Sequence, residues 1–218
     1  LTVALPRRLA RPTFTHRLFS GMNHIARRFG VRIIGGDISS TSGPLVITST
    51  LLGYSHNRVL TRSGAQAGDV VMVTGKLGGS ILGKHLSFTP RIREALILNS
   101  RYKINSMIDI SDGLVADLNH ICEASKVGAQ LVERRIPVSD AAKKLAKKTG
   151  RSPLSHALHD GEDFELLFTA PPVEAKRIVR ERLVPVFQIG FTRGNAGIYL
   201  QDSKGMVKRL EPKGYTHF

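Results

Sequence analysis

The chain has no tryptophan, one cysteine and four tyrosines in 218 residues. A single thiol, Cys122, cannot close an intrachain disulfide. A disulfide-stapled secreted scaffold is therefore excluded, and a reducing compartment, the cytoplasm, is the natural inference. Cys122 itself reads as a small core residue on an apolar helical face. No apolar run reaches the roughly 18 residues of a spanning helix, so no membrane partner is expected. Acidic residues are few: 17 Asp and Glu stand against 32 Lys and Arg, a net charge of +15. Such a balance favours polyanions: nucleic acid, nucleotides or phosphorylated metabolites. The basic residues are not interleaved with aromatics, however, and no helix-turn-helix, zinc-finger or RNA-binding signature is present. Solvated charged faces explain the charge better than nucleic-acid binding does.

The charge is unevenly spread. Arg7, Arg8, Arg11, Arg17, Arg27, Arg28 and Arg32 all precede the first acid, Asp37. The chain opens with Leu1, and its basic, acid-free start suits a transit peptide or a fragment that begins inside a longer protein. Lys143, Lys144, Lys147 and Lys148 form a second cluster, on a helix predicted between a Ser139 cap and a Gly150 stop. With 41% hydrophobic residues the chain can bury a real core.

Leu18, Met22, Ile25 and Phe29 fall on one helical face, with Gly30 as its stop. Val31–Ile34 reads as a strand ended by Gly35-Gly36-Asp37, and Leu45–Leu52 as another. The polar stretch Ser55–Gly68 reads as a connection. Asp69–Thr74 is strand-like and runs into Gly75-Lys76-Leu77-Gly78-Gly79-Ser80. That loop is not a Walker A motif, and its glycines suit tight strand-to-helix packing better than a phosphate cradle. A helix is predicted from Thr89-Pro90 to about Ser100. Gln130–Val132, the end of Gly161–Thr169, Val186–Phe191 and Ile198–Leu200 read as strands, and Val173–Leu183 as a helix. Alternating short strands and helices predict an α/β or α+β architecture.

The most informative stretch is Ile108-Asp109-Ile110-Ser111-Asp112-Gly113. Ser106–Ile110 reads as a short buried strand. Leu114, Val115, Leu118, Ile121 and Cys122 then follow at helical spacing. A strand-to-helix junction aims backbone N–H groups and the positive end of a helix dipole at whatever lies above the sheet. Two carboxylates about 5 Å apart there would repel by roughly 3 kcal/mol at an effective dielectric near 20. A divalent cation removes that penalty, and Mg²⁺ prefers hard oxygens shared with phosphates. The competing reading makes Ser111 or Asp112 an ordinary helix cap.

Several segments line up in order: Gly35-Gly36-Asp37, Arg62–Asp69, Gly75–Ser80, Ile108–Leu114, Gly161-Glu162-Asp163-Phe164-Glu165-Leu166 and His217-Phe218. Together they resemble the thiamine-monophosphate kinase family, within the superfamily of aminoimidazole ribonucleotide synthetase, selenophosphate synthetase and a hydrogenase-maturation protein. The resemblance implies a two-domain α/β fold of the α+β, aminoimidazole ribonucleotide synthetase-like type. Residues 1–60 would be the remainder of an N-terminal ATP- and metal-binding, dimerising domain, and 61–218 the C-terminal domain. It implies phosphorylation of thiamine monophosphate to thiamine diphosphate by direct transfer from ATP with Mg²⁺, in a homodimer.

By the same resemblance, Gly36, Asp37, Arg62 and Ser111 contact ATP, and Asp37, Asp109 and Asp112 hold metal. Glu162 and Phe218 bind the thiamine end. The family has a further N-terminal portion with more aspartates, so the metal site is expected to be incomplete here. Ile38-Ser39-Ser40 and His159-Asp160-Gly161-Glu162 depart from the family's usual Thr-Thr and Gly-Gly-Glu. The alternatives are a superfamily relative with another acceptor, and a non-catalytic nucleotide- or nucleic-acid-binding paralogue.

Overall fold

In the computed structural model, residues 1–55 and 58–212 are described. The chain divides into two compact units, Leu1–Ser55 and His56–Phe218.

The first unit holds β1 (Thr2–Pro6), α1 (Pro12–Arg28), β2 (Asp37–Thr41) and β3 (Val46–Thr48), with strand order β2-β1-β3. β1 pairs parallel to β2 and antiparallel to β3. Here the sequence expectation fails. No strand spans Val31–Ile34, and Asp37 begins a strand rather than ending one. The register gives the reason. Thr2 pairs with Asp37, and the Asp37 N–H donates to Leu1 O at 3.0 Å. Residues 31–36 lie outside that ladder. Their β-branched side chains stay exposed, Ile34 at 87%. The second expected strand shrinks from Leu45–Leu52 to Val46–Thr48 for the same reason, since only three of its residues pair with β1.

The second unit carries β4 (Val70–Val73), α2 (Lys84–Ser87), α3 (Ile92–Arg101), β5 (Ser106–Asp109), α4 (Leu114–Ser125), β6 (Gly128–Val132), α5 (Asp140–Thr149), α6 (Pro153–His159), β7 (Leu166–Ala170), α7 (Pro172–Glu181), β8 (Phe187–Arg193), β9 (Gly197–Gln201) and β10 (Val207–Leu210). Its sheet runs β10-β9-β6-β8-β4-β7-β5, antiparallel except for the parallel pair β6 and β9. Side chains alternate across it, as the two-residue period of a strand requires. Val71, Val73 and Leu167 join Leu114, Leu118 and Ile121 of α4 on one face. Met72 and Phe168 join Leu98 of α3 and Ile178 of α7 on the other. A sheet covered on both faces buries its central strand as a continuous apolar run, which is why Val70–Val73 was legible as a strand. Each fully buried Leu, Ile or Phe contributes roughly 1.5–3 kcal/mol relative to exposure.

The Ser139 cap is present: its Oγ accepts from Ala142 N, and Gly150 closes α5 in a left-handed conformation. Cys122 is buried among α4 neighbours, and burial pushes its thiol up to about 12, so it is an inert core group. β5 is the edge strand of its sheet, so Asp109, its last residue, and the turn after it emerge beside solvent.

Candidate active site

Two acidic turns build the site. The first, Ile110–Gly113, links β5 to α4. Neither Ser111 nor Asp112 caps the helix, which corrects the cap reading: the N-cap is Gly113, without a side-chain cap bond. The capping work falls to Asp117, one turn inside α4. Its Oδ2 accepts from the backbone N–H groups of Ser111, Asp112 and Gly113 at 3.0, 3.0 and 3.1 Å. Asp117 is 1% exposed. Burial pushes its carboxyl up to about 6, against the pull of those amides. Because one inward carboxylate satisfies three orphan amides, the Ser111 and Asp112 side chains are released from structural duty. Sequence reasoning missed Asp117. Its signal was an acid in the first turn of a helix, on the buried face.

The second turn, Gly161–Glu165, leads into β7. It is laced to the first: Glu162 N donates to Ser111 O, Phe164 N to Ile110 O, and Ile110 N to Glu165 O, each at 2.8 Å. A Cβ at Gly161 would stand 2.4 Å from Ser111 O, so only glycine permits this approach. The turn's side chains divide by position. Asp163 and Glu165 are each 1% exposed. Asp163 accepts from Gly78 N at 2.8 Å and Ser80 Oγ at 2.5 Å. Burial raises its carboxyl to about 6, while those two donors work the other way. Glu165 binds Arg91 Nε at 2.7 Å and Nη2 at 2.8 Å, Lys84 Nζ at 2.8 Å and Thr74 Oγ1 at 2.8 Å. Burial alone would raise its pKa, but Arg91, Lys84 and Thr74 together hold it below the usual glutamate value.

Glu162 and Phe164 occupy the alternate positions, both with left-handed backbone, φ +63° and +49°. Such conformations cost a non-glycine residue of order 1 kcal/mol or more and gather at functional sites. Glu162 is exposed and, among the described residues, makes no side-chain hydrogen bond or ion pair.

Beside the two turns opens a cavity of about 830 Å³, lined among others by Ser111, Asp112, Gly161, Glu162 and Phe164. Three expected site residues, Ser111, Asp112 and Glu162, therefore meet at one place. Ile81 and Leu145 give the cavity an apolar side, and Asp160 and Arg151 further charges. Asp160 Oδ2 accepts from Gly79 N at 3.3 Å and faces His156 Nδ1 at 2.8 Å. The amides of Gly78 and Gly79 are thus taken by side chains of this same chain. A Cβ at Gly78 would come within 2.7 Å of the His156–Ala157 backbone. The glycine loop serves close packing, not phosphate binding.

Asp109 ends β5 exposed, three residues before Asp112. Arg62 runs beside this strand, since Met107 N donates to the preceding Thr61 O at 2.9 Å. Its guanidinium is exposed. Gly36 and the exposed Asp37 lie in the first unit, at the start of β2. Phe218 lies outside the described residues. His120, one turn beyond Asp117, was not foreseen: the ligand atoms of Asp112, Asp117 and His120 lie within 4.8 Å of one another. The family resemblance assigns Asp109 and Asp112 to a divalent cation. Both offer hard oxygens, and among the described residues no N–H donor satisfies either carboxylate, His120 Nε2 approaching Asp112 only to 4.0 Å.

Comparison with known proteins places this geometry. Residues 53–202 match the model of the AIR synthase related protein, C-terminal domain. The chain is 40% identical over 218 residues to the thiamine-monophosphate kinase of Rhodopirellula baltica, spanning all of this chain and 68% of the relative. It is 35% identical over 233 residues to the enzyme of that name from Escherichia coli, covering 94% of this chain and 68% of the relative. Among solved structures, AaThiL complexed with AMPPCP and TMP superposes with a TM-score of 0.81 at 29% identity, covering all of this chain and 72% of the other. Escherichia coli HypE, a hydrogenase maturation protein, shares the fold at 17% identity, with a TM-score of 0.74 over 96% of this chain and 72% of its own.

Proposed function

The chain belongs to the AIR synthase-related family and, within it, to the thiamine-monophosphate kinases, and from that premise we propose that it transfers the γ-phosphoryl group of ATP to thiamine monophosphate. One observation carries the reading: Ser111, Asp112 and Glu162 line a single cavity in a member of this family. A solved relative of the same fold is a complex with an ATP analogue and TMP.

In this reading Ser111 and Arg62 hold ATP, the arginine through its planar fork. Asp109 and Asp112 would hold Mg²⁺, and Gly36 and Asp37 of the first unit keep the nucleotide and metal roles that the family resemblance implies. When bound, Mg²⁺ neutralises phosphate charge and aligns the two substrates. Glu162 and Phe218 hold the thiamine end. An oxygen of the acceptor phosphate attacks the γ-phosphorus, the bond to the bridging oxygen breaks, and ADP leaves with the electron pair. The acceptor oxygen is already ionised, so no general base is required. Positioning and charge neutralisation dominate phosphoryl transfer. The outward carboxylates of Asp109 and Asp112, which accept no hydrogen bond among the described residues, support this.

Residues 1–60 belong in this scheme to the nucleotide- and dimer-forming domain, and 61–218 to the C-terminal domain. The homodimer would form through the β2-β1-β3 sheet, where Ile38, Val46 and Ile47 are 50%, 49% and 42% exposed. No helix among the described residues is long and apolar enough to cross a membrane. The free, buried Cys122 agrees with a cytoplasmic location.

The test is chromatographic. Purified protein with ATP, Mg²⁺ and thiamine monophosphate should form thiamine diphosphate and ADP in equal amounts, and a chelator should stop both. ATP consumed only with a different phosphorylated acceptor would overturn the assignment.

A further inference from the structure

Phe164 is the cavity residue whose conformation demands the most explanation. It is large, it carries a left-handed backbone, and its neighbours spend several hydrogen bonds holding it there. Ile110 O takes its N–H at 2.8 Å. The flanking Asp163 and Glu165 side chains are anchored to Gly78, Ser80, Arg91, Lys84 and Thr74. Hydrophobic burial does not require this arrangement, because a phenylalanine in ordinary strand geometry would bury as well. Residues 162 and 164, both left-handed, line one cavity while 163 and 165 are buried. The ring is also propped. Phe88 stacks on it with centroids 4.0 Å apart and planes 21° apart. A ring backed by another ring is fixed in orientation.

The cavity is thus two-sided in chemistry. Phe164, Ile81 and Leu145 supply apolar and aromatic surface; Asp160 is paired with Arg151 and His156 and Asp112 is assigned to metal, so Glu162 supplies the uncommitted carboxylate. A flat, positively charged ring satisfies both: its face lies on the aromatic quadrupole and its charge is met by Glu162. A neutral ring of equal shape forfeits both gains, and a compact ammonium ion would leave the apolar side wet. We propose that Phe164 is a specificity-determining residue that reads the positive charge of the acceptor's heterocycle, so that this site selects cationic rings over neutral ones. The inference rests on the acceptor reading above, in which the thiazolium ring of thiamine monophosphate is that cation.

Calorimetric binding tests it. The ligands are thiamine monophosphate and its analogue with carbon in place of the charged ring nitrogen, which has the same shape and no ring charge. Wild type should bind the charged ring more than tenfold tighter. Phe164→Leu should reduce that preference about tenfold, the scale of a desolvated cation–aromatic contact. Phe164→Tyr should keep it, and affinity for a non-hydrolysable ATP analogue should not change. Where the Leu variant fails to melt cooperatively, Phe164→Met is read instead. The proposal is overturned if wild type binds both rings equally, or if the Leu or Met variant weakens both to the same degree. Failure of wild type to bind thiamine monophosphate at all is a separate result, which removes the acceptor assignment itself.

Discussion

The turn at Ile110–Gly113 and the turn at Gly161–Glu165 follow one plan. Each has an inward set of carboxylates that organises the backbone and an outward set with little to bind. In the first, Asp117 gathers three amides while Asp112 is left outward. In the second, Asp163 and Glu165 fasten the glycine loop and the Arg91–Lys84 pair while Glu162 is left outward. The two turns differ in how they are held. The first uses neutral amides around one buried acid. The second uses two basic side chains that are about a third exposed, at 36% and 30%. Carboxylates in one short motif therefore do opposite jobs, and burial separates them.

That division can be broken from the outward side first. Asp112→Ala should lower kcat on the order of a thousandfold, the scale of losing a group that stabilises transition-state charge, and leave the melting temperature unchanged. Steady-state assays beside thermal melts would show it, and an unchanged rate would remove the metal-site argument. Asp117→Ala should act mainly on stability. It strands three amides and should cost about 3 kcal/mol by denaturant unfolding, with activity falling as Ser111 and Asp112 lose their support. Should unfolding be unaffected, Asp117 is not what holds the turn. The smallest effect sharpens the second turn. Glu162→Gly relieves the left-handed backbone and should stabilise the protein by about 1 kcal/mol while raising KM for thiamine monophosphate. Loss of stability in that variant would mean that its carboxylate is structural after all.

Much of this was readable from residue order alone. The apolar run Val70–Val73 needed no partner to be recognised, because a strand buried on both faces has no polar alternation to obscure it. The Ser139 cap and the Gly150 stop were legible because capping is local chemistry. Val31–Ile34 misled for the opposite reason. β-branched residues favour a strand, but a strand exists only where another pairs with it, and the parallel ladder starts at Thr2 and Asp37. Ser111, Asp112 and Glu162, which line one cavity, were singled out by motif. Asp117, Phe164 and His120 were not: an acid on the buried face of a first turn signals Asp117, but only the fold shows which amides it gathers and what Phe164 and His120 face.

Residue order thus determined the alternation of elements, the buried central strand, the helix ends and the short list of acids proposed to meet phosphate and metal. The tertiary fold decided which of those acids were free to do so. An aspartate's availability depends on how many donors converge on it: three nearby amides take Asp117, Gly78 N and Ser80 Oγ take Asp163 from more than eighty residues away, and among the described residues Asp112 accepts no hydrogen bond.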